Sequence, residues 1–401
     1  MGINEWKTVE IDAVANVIDP HPSHRAPKEV ENGIPFVGIG DIDENGNINR
    51  ESARVVSDSV FDEHRQRYDL SKPLIGIGRV ASLGKVIKLR NDLGRYAVSP
   101  TMAVLDFYGL DPSFAYYYMC STDFQKQFSG SSNGSTRQSV GMQYIRKLYI
   151  RYPSYEEQKR IADSMLDIDK LIETIQKSIV KKMNVFTGVL QNIEKKHLNS
   201  RANKWPIVSI GSVASVIDPH PSHRAPIEVE NGIPFAGIGD FDENGNINFQ
   251  SARLVSAKVF EEHKTRYDLN NNLIGIGRIA SLGKVIRLRN DIGQYTVSPT
   301  IAILDFKNEI DSTFAYYYMK TNAFQEQFSL NSSGSTRQSV GMNYIRTLQI
   351  ACPSMREQKE VAETLEEMNQ ELYLLRKELN KLKNIKKGMM EELLTGKVRL
   401  M

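Results

Sequence analysis

Two long stretches of this chain decide its fold. Residues 161–193 read IADSMLDIDKLIETIQKSIVKKMNVFTGVLQNI, and residues 361–393 read VAETLEEMNQELYLLRKELNKLKNIKKGMMEEL. In each stretch, nine of the ten positions spaced alternately four and three residues apart are apolar. The tenth is a lysine, Lys182 in the first stretch and Lys386 in the second. A seven-residue apolar repeat held over several heptads is typical of a coiled coil.

The remainder of the chain consists of two copies of one sequence. Of the 102 positions from 6 to 107, 75 are identical to those from 205 to 306. The repeat period is about 200 residues, whereas solenoid repeats are roughly 20–50 residues long. Each copy is therefore expected to be a domain in its own right.

Short apolar runs between Gly, Pro, Asn and Asp predict a strand-dominated α/β domain. In the first copy, the predicted strands are 34–39, 74–77, 81–89 and 97–107, with a turn at 43–47. Between Asp111 and Phe128 the pattern becomes helical, and Pro112 falls in the first helical turn.

These patterns predict four segments. Residues 1–155 and 201–354 form two similar α/β domains, and residues 156–200 and 355–401 form the long helices that separate them. Two helices of matching length in one chain most simply pair with each other, and an antiparallel coiled coil relates the two halves by a pseudo-twofold axis. A heptad stretch of about 33 residues is roughly 50 Å long, or about 14 base pairs of B-DNA. Two DNA-reading domains in this arrangement would bind an interrupted palindrome.

Composition excludes several classes of protein. The 401 residues are 40% hydrophobic and 25% charged, as in globular proteins. Two cysteines exclude a disulfide framework and a cysteine-rich zinc domain, so we expect a reducing, cytoplasmic setting. No run of eighteen apolar residues occurs, and residues 1–6 lack the pattern of a secretory signal, so no membrane association is expected. A net charge of +3 requires any DNA-binding face to be local.

Three polar motifs, each present in both copies, are candidate DNA contacts. They are a proline-stiffened His-Pro-Ser-His-Arg loop, an Arg-x-x-Ser-x-Gly-Lys turn, and a Ser-Thr-Arg-Gln-Ser segment. Arginine and glutamine suit guanine and adenine edges, and hydroxyls suit phosphates. The candidate residues of the first copy are His21, Ser23, His24, Arg25, Arg79, Ser82, Lys85, Arg137 and Gln138. Those of the second copy are His220, Ser222, His223, Arg224, Arg278, Ser281, Lys284, Arg337 and Gln338.

Structural interpretations of the same motifs stay open. The first loop could be a capped surface turn, the second an exposed basic hairpin, and the third a linker to the long helix. His21 and His24 with Asp19 could also ligate a cation, although a further pair of close ligands is missing and no metal site is predicted. No residue is assigned a catalytic role.

The motifs also occur in a distinctive order. GIPFVGIGDI at 33–42 is followed by LIGIGR at 74–79, GKV at 84–86 and STRQS at 135–139. Pro153, Glu157 and Gln158 open the long helix, and LLTGKVR follows at 393–399. This ordered set, carried in both copies, resembles the specificity subunit of a Type I restriction-modification system.

The resemblance implies two target-recognition domains alternating with two coiled-coil regions. It further implies a non-catalytic chain that binds double-stranded DNA. Two separate modification subunits would carry S-adenosylmethionine and methylate adenine, restriction subunits could join them, and this chain would hold no cofactor. The chain contains no Asn-Pro-Pro-Tyr or Asp-Pro-Pro-Tyr motif, no Walker A loop and no Gly-x-Gly-x-x-Gly.

Two other functions compete with this interpretation. A stand-alone regulator could use the coiled coil merely to join two DNA-binding domains. A single-chain enzyme such as a nuclease would cleave or modify DNA without partners. Purification with a methyltransferase partner separates the specificity subunit from the regulator, and activity of the chain alone would support the enzyme.

Overall fold

The chain forms two compact units. The computed structural model describes residues 6–23, 26–43, 46–129, 139–198, 205–222, 225–242, 245–329 and 339–400. The first unit comprises Met1–Gln176 with Lys377–Met401, and the second comprises Lys177–Arg376. Each unit therefore contains one sequence copy and about half of each long helix.

The first unit is a mixed α/β structure. Its strands are β1 (Lys7–Glu10), β2 (Ala15–Ile18), β3 (Glu29–Val37), β4 (Arg54–Val56), β5 (Leu74–Gly78), β6 (Val86–Leu89), β7 (Ala97–Val98), β8 (Met102–Phe107) and β9 (Tyr149–Tyr152). Its helices are α1 (Asp58–Arg65), α2 (Pro112–Cys120), α3 (Thr122–Gln125), α4 (Met142–Arg146) and the beginning of α5 (Tyr155–Leu198). Short 3-10 turns cover Ile11–Ala13, Ile39–Asp41 and Lys126–Phe128.

A four-stranded antiparallel sheet, in the order β2-β8-β5-β6, lies at the centre of this unit. Alternate residues of β5 and β8 are buried on opposite faces, because side chains along a strand alternate in direction. Ile75 and Leu105 pack with the helices, whereas Leu74 and Val104 pack on the other side. A three-stranded sheet, β4-β3-β7, and the pair β1-β9 complete the unit.

The second unit repeats this plan. Its strands are β10 (Ile207–Ser209), β11 (Ala214–Ile217), β12 (Glu228–Ala236), β13 (Arg253–Val255), β14 (Ile274–Gly277), β15 (Val285–Arg287), β16 (Thr296–Val297), β17 (Ile301–Phe306) and β18 (Gln349–Ala351). Its helices are α6 (Ile210–Val213), α7 (Ala257–Lys264), α8 (Ser312–Tyr318), α9 (Asn322–Ser329), α10 (Met342–Thr347) and the beginning of α11 (Met355–Leu393). The sheets follow the orders β11-β17-β14-β15, β13-β12-β16 and β10-β18.

Three sequence predictions for the first copy need correction. The strand predicted at 81–89 begins only at Val86, because residues 81–85 form a tight turn. The strand predicted at 97–107 is split into β7 and β8 by a turn in which Met102 N–H donates to the Ser99 carbonyl. The helix predicted up to Phe128 breaks at Ser121, whose side chain caps α3 by accepting from Phe124 N–H.

Within each unit the two long helices run antiparallel. In the first unit, Ile161 and Met165 near the start of α5 share a core with Leu393 at the end of α11. In the second unit, Ile193 near the end of α5 shares a core with Leu365 near the start of α11. The predicted fold class, two similar α/β domains with two long antiparallel helices, is confirmed.

The lysines that interrupt the apolar seams pair with acidic residues. In the first unit, Nζ of Lys386 on α11 lies 2.6 Å from Oδ1 of Asp169 on α5. Lys182 on α5 pairs with Glu371 on α11 in the second unit. A single polar position in an apolar seam fixes helix register, because any other register would leave its charge without a partner.

The Glu-Gln pair at the start of each long helix has a structural role. Gln158 is buried, accepts from Asp111 N–H (2.9 Å) and donates to the Pro153 carbonyl (3.1 Å). Asp111 in turn caps α2 by accepting from Phe114 N–H. Gln358 makes the equivalent bonds to Asp311 and Pro353 in the second unit. This glutamine ties the long helix to the globular part of its unit.

Candidate nucleic-acid interface

The structure brings together the described parts of the three polar motifs. In the first unit, Val80 forms an isolated antiparallel bridge with Ser139, and Val140 N–H donates to the Arg79 carbonyl at 2.9 Å. The motif after β2 joins the same cluster through Asp19. Residues 60 positions apart or more are thus neighbours, as a shared binding surface requires.

Arg79 is the side chain that connects the three motifs. Its Nη1 lies 3.2 Å from Asp19 Oδ2, and its Nε donates to the Val140 carbonyl at 3.3 Å. The side chains of Arg79 and Asp19 are only 12% and 21% exposed. The second unit repeats both contacts, since Arg278 pairs with Asp218 at 3.2 Å and donates to the Val340 carbonyl at 3.2 Å.

His21 points into the domain. Its backbone N–H donates to Asp19 Oδ1, and its Nδ1 lies 3.1 Å from Nε2 of His64 on α1. The Nδ1 of His64 lies 3.1 Å from the hydroxyl of Tyr68, which accepts from Val98 N–H at 2.8 Å. This chain of hydrogen bonds fastens the start of the polar loop to the core.

The second unit has the same chain with one change. His220 Nδ1 lies 3.0 Å from His263 Nε2, and His263 Nδ1 contacts the Thr296 hydroxyl instead of a tyrosine. Burial lowers the pKa of His263 to about 4, as it does for His64, and the neighbouring histidine adds to the effect in each case. Both inner histidines are therefore neutral at neutral pH, which suits a fixed hydrogen-bonded anchor.

The turn after Arg79 contains a strained residue. Ala81 is exposed and has φ of 64°, and Ser82 N–H donates to the Val80 carbonyl at 2.8 Å across it. A three-residue turn with positive φ is rare for any residue other than glycine. Ala280 has φ of 65° in the second unit, with the matching bond from Ser281 to Ile279.

Lys85 is bound to the backbone of its own domain. Its Nζ donates to the carbonyls of Ile39 (3.1 Å), the first residue of the 3-10 turn Ile39–Asp41, and of Ile42 (2.6 Å), the residue after that turn. Lys284 does the same to Ile238 and Phe241. Gly84 has φ of 75°, and a Cβ there would lie 2.9 Å from Cδ2 of the buried Phe128 ring. This glycine is therefore required by packing inside the domain.

The predicted contact residues consequently fall into three groups. Ser23 and Ser222 are exposed, and Ser82 and Ser281 are half-buried. The side chains bound within the domain are those of His21, His220, Arg79, Arg278, Lys85 and Lys284. The residues outside the described part of the chain are His24, Arg25, Arg137, Gln138, His223, Arg224, Arg337 and Gln338.

Sequence reasoning missed the partners of these side chains. No sequence motif includes His64 or His263, and the sequence indicates Asp19 only as an alternative cation ligand. One signal was available, because the inner histidine follows the outer one by 43 residues in both copies. Within the described ranges, no group of three or more His, Cys, Asp or Glu side chains is arranged to hold a metal ion.

Both sequence copies match one known protein family. The family model for the Type I restriction modification DNA specificity domain matches residues 3–184 and again residues 203–384. The chain belongs to this family. No helix in the described parts of this family member is both long and apolar enough to cross a membrane.

Two relatives come from Methanocaldococcus jannaschii. The Type I restriction enzyme MjaVIII specificity subunit is 25% identical over 71% of this chain and 70% of its own length. The putative type I restriction enzyme MjaX specificity subunit is 25% identical over 65% of this chain and 62% of its own length. This chain therefore spans less than two thirds of the MjaX relative.

Solved structures show the same fold over nearly the whole chain. The S subunit of a Type I restriction-modification system from M. genitalium gives a TM-score of 0.60 at 17% identity, covering 98% of this chain and 97% of that one. A structure from a study of assembly and conformational transition of the type I R-M system gives a TM-score of 0.56 at 15% identity, covering 98% of each. At these identities the likeness concerns the fold alone.

Proposed function

We propose that this chain is the DNA-specificity subunit of a Type I restriction-modification complex, and that each unit reads one half of a bipartite duplex site. The observation that carries the proposal is the convergence of the polar motifs in each unit, at Asp19, Arg79 and Val140 and at their counterparts. Loops held on a rigid scaffold are where binding residues concentrate.

The two half-sites are expected to be nearly equal. The candidate motifs are identical in the two copies, and their internal contacts agree within about 0.1 Å in the Arg–Asp and Arg–carbonyl distances. Among the predicted contact residues that the structure describes, Ser23 and Ser222 are exposed and so are accessible to DNA. Direct contacts by Arg25, Arg137 and Gln138 remain predictions from the sequence.

Methyl transfer and DNA cleavage are assigned to other chains of the complex. We propose that the subunit itself is non-catalytic and holds no cofactor, that two modification subunits supply S-adenosylmethionine and methyl transfer, and that restriction subunits join in some assemblies. The setting is the cytoplasm, where duplex DNA is available to the complex. The family membership supports the DNA-recognition role, and the extended composition of the complex is part of the proposal.

Methylation-resolved sequencing tests this function. The chain is expressed with its candidate modification subunit in a host that lacks restriction-modification systems. We expect a new bipartite motif with methylated adenine, present only when both chains are expressed. Methylation that does not require this chain would overturn the proposal. A chain that does not co-purify with the modification subunit and supports no methylation would favour the regulator, and methyl transfer or cleavage by the purified chain alone would favour the enzyme.

A further inference from the structure

We propose that Arg79 and Arg278 are positioning residues that brace the recognition surface of each unit from within, and that they do not bind DNA themselves. This inference rests on the proposed function and refines it. Arginine in a polar motif of a DNA-binding protein usually suggests contact with guanine or phosphate. The geometry of these two arginines points elsewhere.

The first argument is that the guanidinium donors point at groups of the same domain. Nη1 of Arg79 faces Asp19 and Nε faces the Val140 carbonyl, so two of the three guanidinium nitrogens already bind groups of the protein. A bidentate contact with guanine requires a guanidinium free to present two parallel donors. With its side chain 12% exposed, Arg79 offers little of that fork to a ligand outside the domain.

The second argument is electrostatic. A phosphate that approached Arg79 would also approach the Asp19 carboxylate 3.2 Å away, and the two anions would repel each other. A carboxylate paired so closely neutralises the charge that makes arginine useful for binding DNA. The same pair recurs between Arg278 and Asp218, with side chains 14% and 22% exposed.

The third argument concerns what the bonds connect. Asp19 Oδ1 also accepts from the His21 N–H, and His21 is anchored on His64, so Arg79 holds the start of one polar loop. Val140 lies directly after the third motif and donates to the Arg79 carbonyl. One side chain and its own backbone therefore fix the spacing between two candidate recognition loops.

Substitutions at both ends of the pair distinguish a brace from a DNA contact. The variants are Arg79→Met, Arg79→Lys and Asp19→Asn, with Arg278→Met as the mirror-image control in the other unit. Each is assembled in the complex with the modification subunit. Binding is measured over a range of salt concentrations on duplexes that carry both half-sites, either half-site alone, or neither. The wild-type complex is measured first, because a complex that shows no sequence preference would contradict the proposed function itself rather than the brace.

A brace predicts that the variant loses one of its two half-site contacts. Arg79→Met should therefore reduce the preference for the duplex with both half-sites over the duplex with one at least tenfold, with binding to one half-site and the salt slope unchanged. Arg278→Met should cause the same loss, because the half-sites are expected to be nearly equal. Asp19→Asn should reproduce the Arg79→Met loss, and the double variant should be no worse than either, because both remove one interaction. Arg79→Lys should be intermediate, since lysine keeps the ion pair and loses the bond to Val140.

A direct phosphate contact predicts a different pattern. Arg79→Met would then weaken specific and non-specific binding alike and lower the magnitude of the salt slope by about 0.9. Asp19→Asn would free the arginine and strengthen binding. Either result overturns the inference, as does unchanged discrimination in Arg79→Met. Trp6 fluorescence checks that the first unit of the Arg79 and Asp19 variants remains folded, and Trp205 fluorescence checks the second unit of Arg278→Met. The milder Asp19→Asn and Arg79→Lys keep the test decisive if Arg79→Met unfolds the first unit.

Discussion

At the scale of single residues, the candidate surface is defined by side chains that turn inward. His21, Arg79 and Lys85 each carry the polar chemistry expected of a DNA contact, yet each is bound to its own domain. Their partners are distant in sequence, as Asp19 is from Arg79 and His64 is from His21. A local motif shows what a side chain could bind. Only the fold shows that its hydrogen-bonding groups are already paired with a carboxylate or an imidazole of the same domain.

The positive φ of Ala81 leads to a stability prediction. An L-residue in this conformation costs about 1–2 kcal/mol, whereas glycine there costs about 0.5–1 kcal/mol in additional chain entropy. Ala81→Gly should therefore raise the free energy of unfolding of the first unit by about 0–1.5 kcal/mol. Urea unfolding followed by Trp6 fluorescence, in a Trp205→Phe background, measures it.

Ala13 is the matched control for this substitution. It is also exposed, but it lies in the right-handed 3-10 turn Ile11–Ala13, so Ala13→Gly should destabilise the unit. An Ala81→Gly variant that loses as much stability as Ala13→Gly would show that the backbone at position 81 is not strained. Ala81→Val should be clearly destabilising, because β-branched residues tolerate positive φ least.

At the scale of elements, periodicity predicted the long helices well and the short ones poorly. Heptads over 161–193 and 361–393 specified two helices that pair, because a sustained apolar stripe must be buried. The helix predicted between Asp111 and Phe128 was too long. Its aromatic residues continue at helical spacing past Ser121, although the Ser121 side chain caps a new helix there. The strand predicted at 81–89 was also too long, because nothing local to Ala81 indicates a left-handed backbone.

The end of α11 is fastened to the first unit in a way the second unit does not match. Glu157 is buried and accepts two bonds from Arg399, each 2.7 Å long. The equivalent Glu357 accepts from the indole N–H of Trp205 at 3.2 Å. Within the described residues, the indole N–H of Trp6 is buried without a hydrogen-bond partner. In the first unit, Arg399 of the segment after α11 therefore binds the glutamate whose counterpart in the second unit accepts from the tryptophan.

Gly396 is required by this arrangement. Its φ is 73°, it caps α11 through a bond from its N–H to the Leu393 carbonyl, and a Cβ there would lie 3.1 Å from the Trp6 ring. Gly396→Ala should therefore destabilise the first unit by about 1–2 kcal/mol through backbone strain alone, and crowding against Trp6 should add to this. Unfolding followed separately by Trp6 and Trp205 fluorescence measures each unit.

Gly388 provides the control for position 396. It lies within α11 in the same unit, and a Cβ there would meet nothing within 4 Å. Gly388→Ala should stabilise the helix by up to about 1 kcal/mol. Equal effects of the two substitutions, or a loss seen only by Trp205, would contradict the role assigned to Gly396.

At the scale of the whole molecule, the duplicated sequence determines what kind of site the chain can read. Two copies with matching anchors and braces, each with antiparallel halves of the same two helices, favour equal half-sites. Where the copies differ on the surface, as at Arg50 against Phe249 or Arg95 against Gln294, the half-sites can diverge. The sequence established the duplication and the helix pair, and it carried no information on which bases are bound.

The long helices are expected to set the gap between the half-sites. Removing one heptad from each helix preserves the seven-residue phase of the apolar seam and shortens each helix by about 10.5 Å. Under the proposed function, the preferred gap should fall by about 3 base pairs, with both half-site sequences unchanged. Methylation-resolved sequencing of a host expressing the shortened chain with its modification subunit reads the gap directly.

A four-residue deletion is the control for the heptad deletion, because it shifts the apolar seam out of phase and should abolish methylation. If the heptad deletion leaves the gap unchanged, helix length does not determine spacing, and the gap must then be set by DNA bending or by the modification subunits.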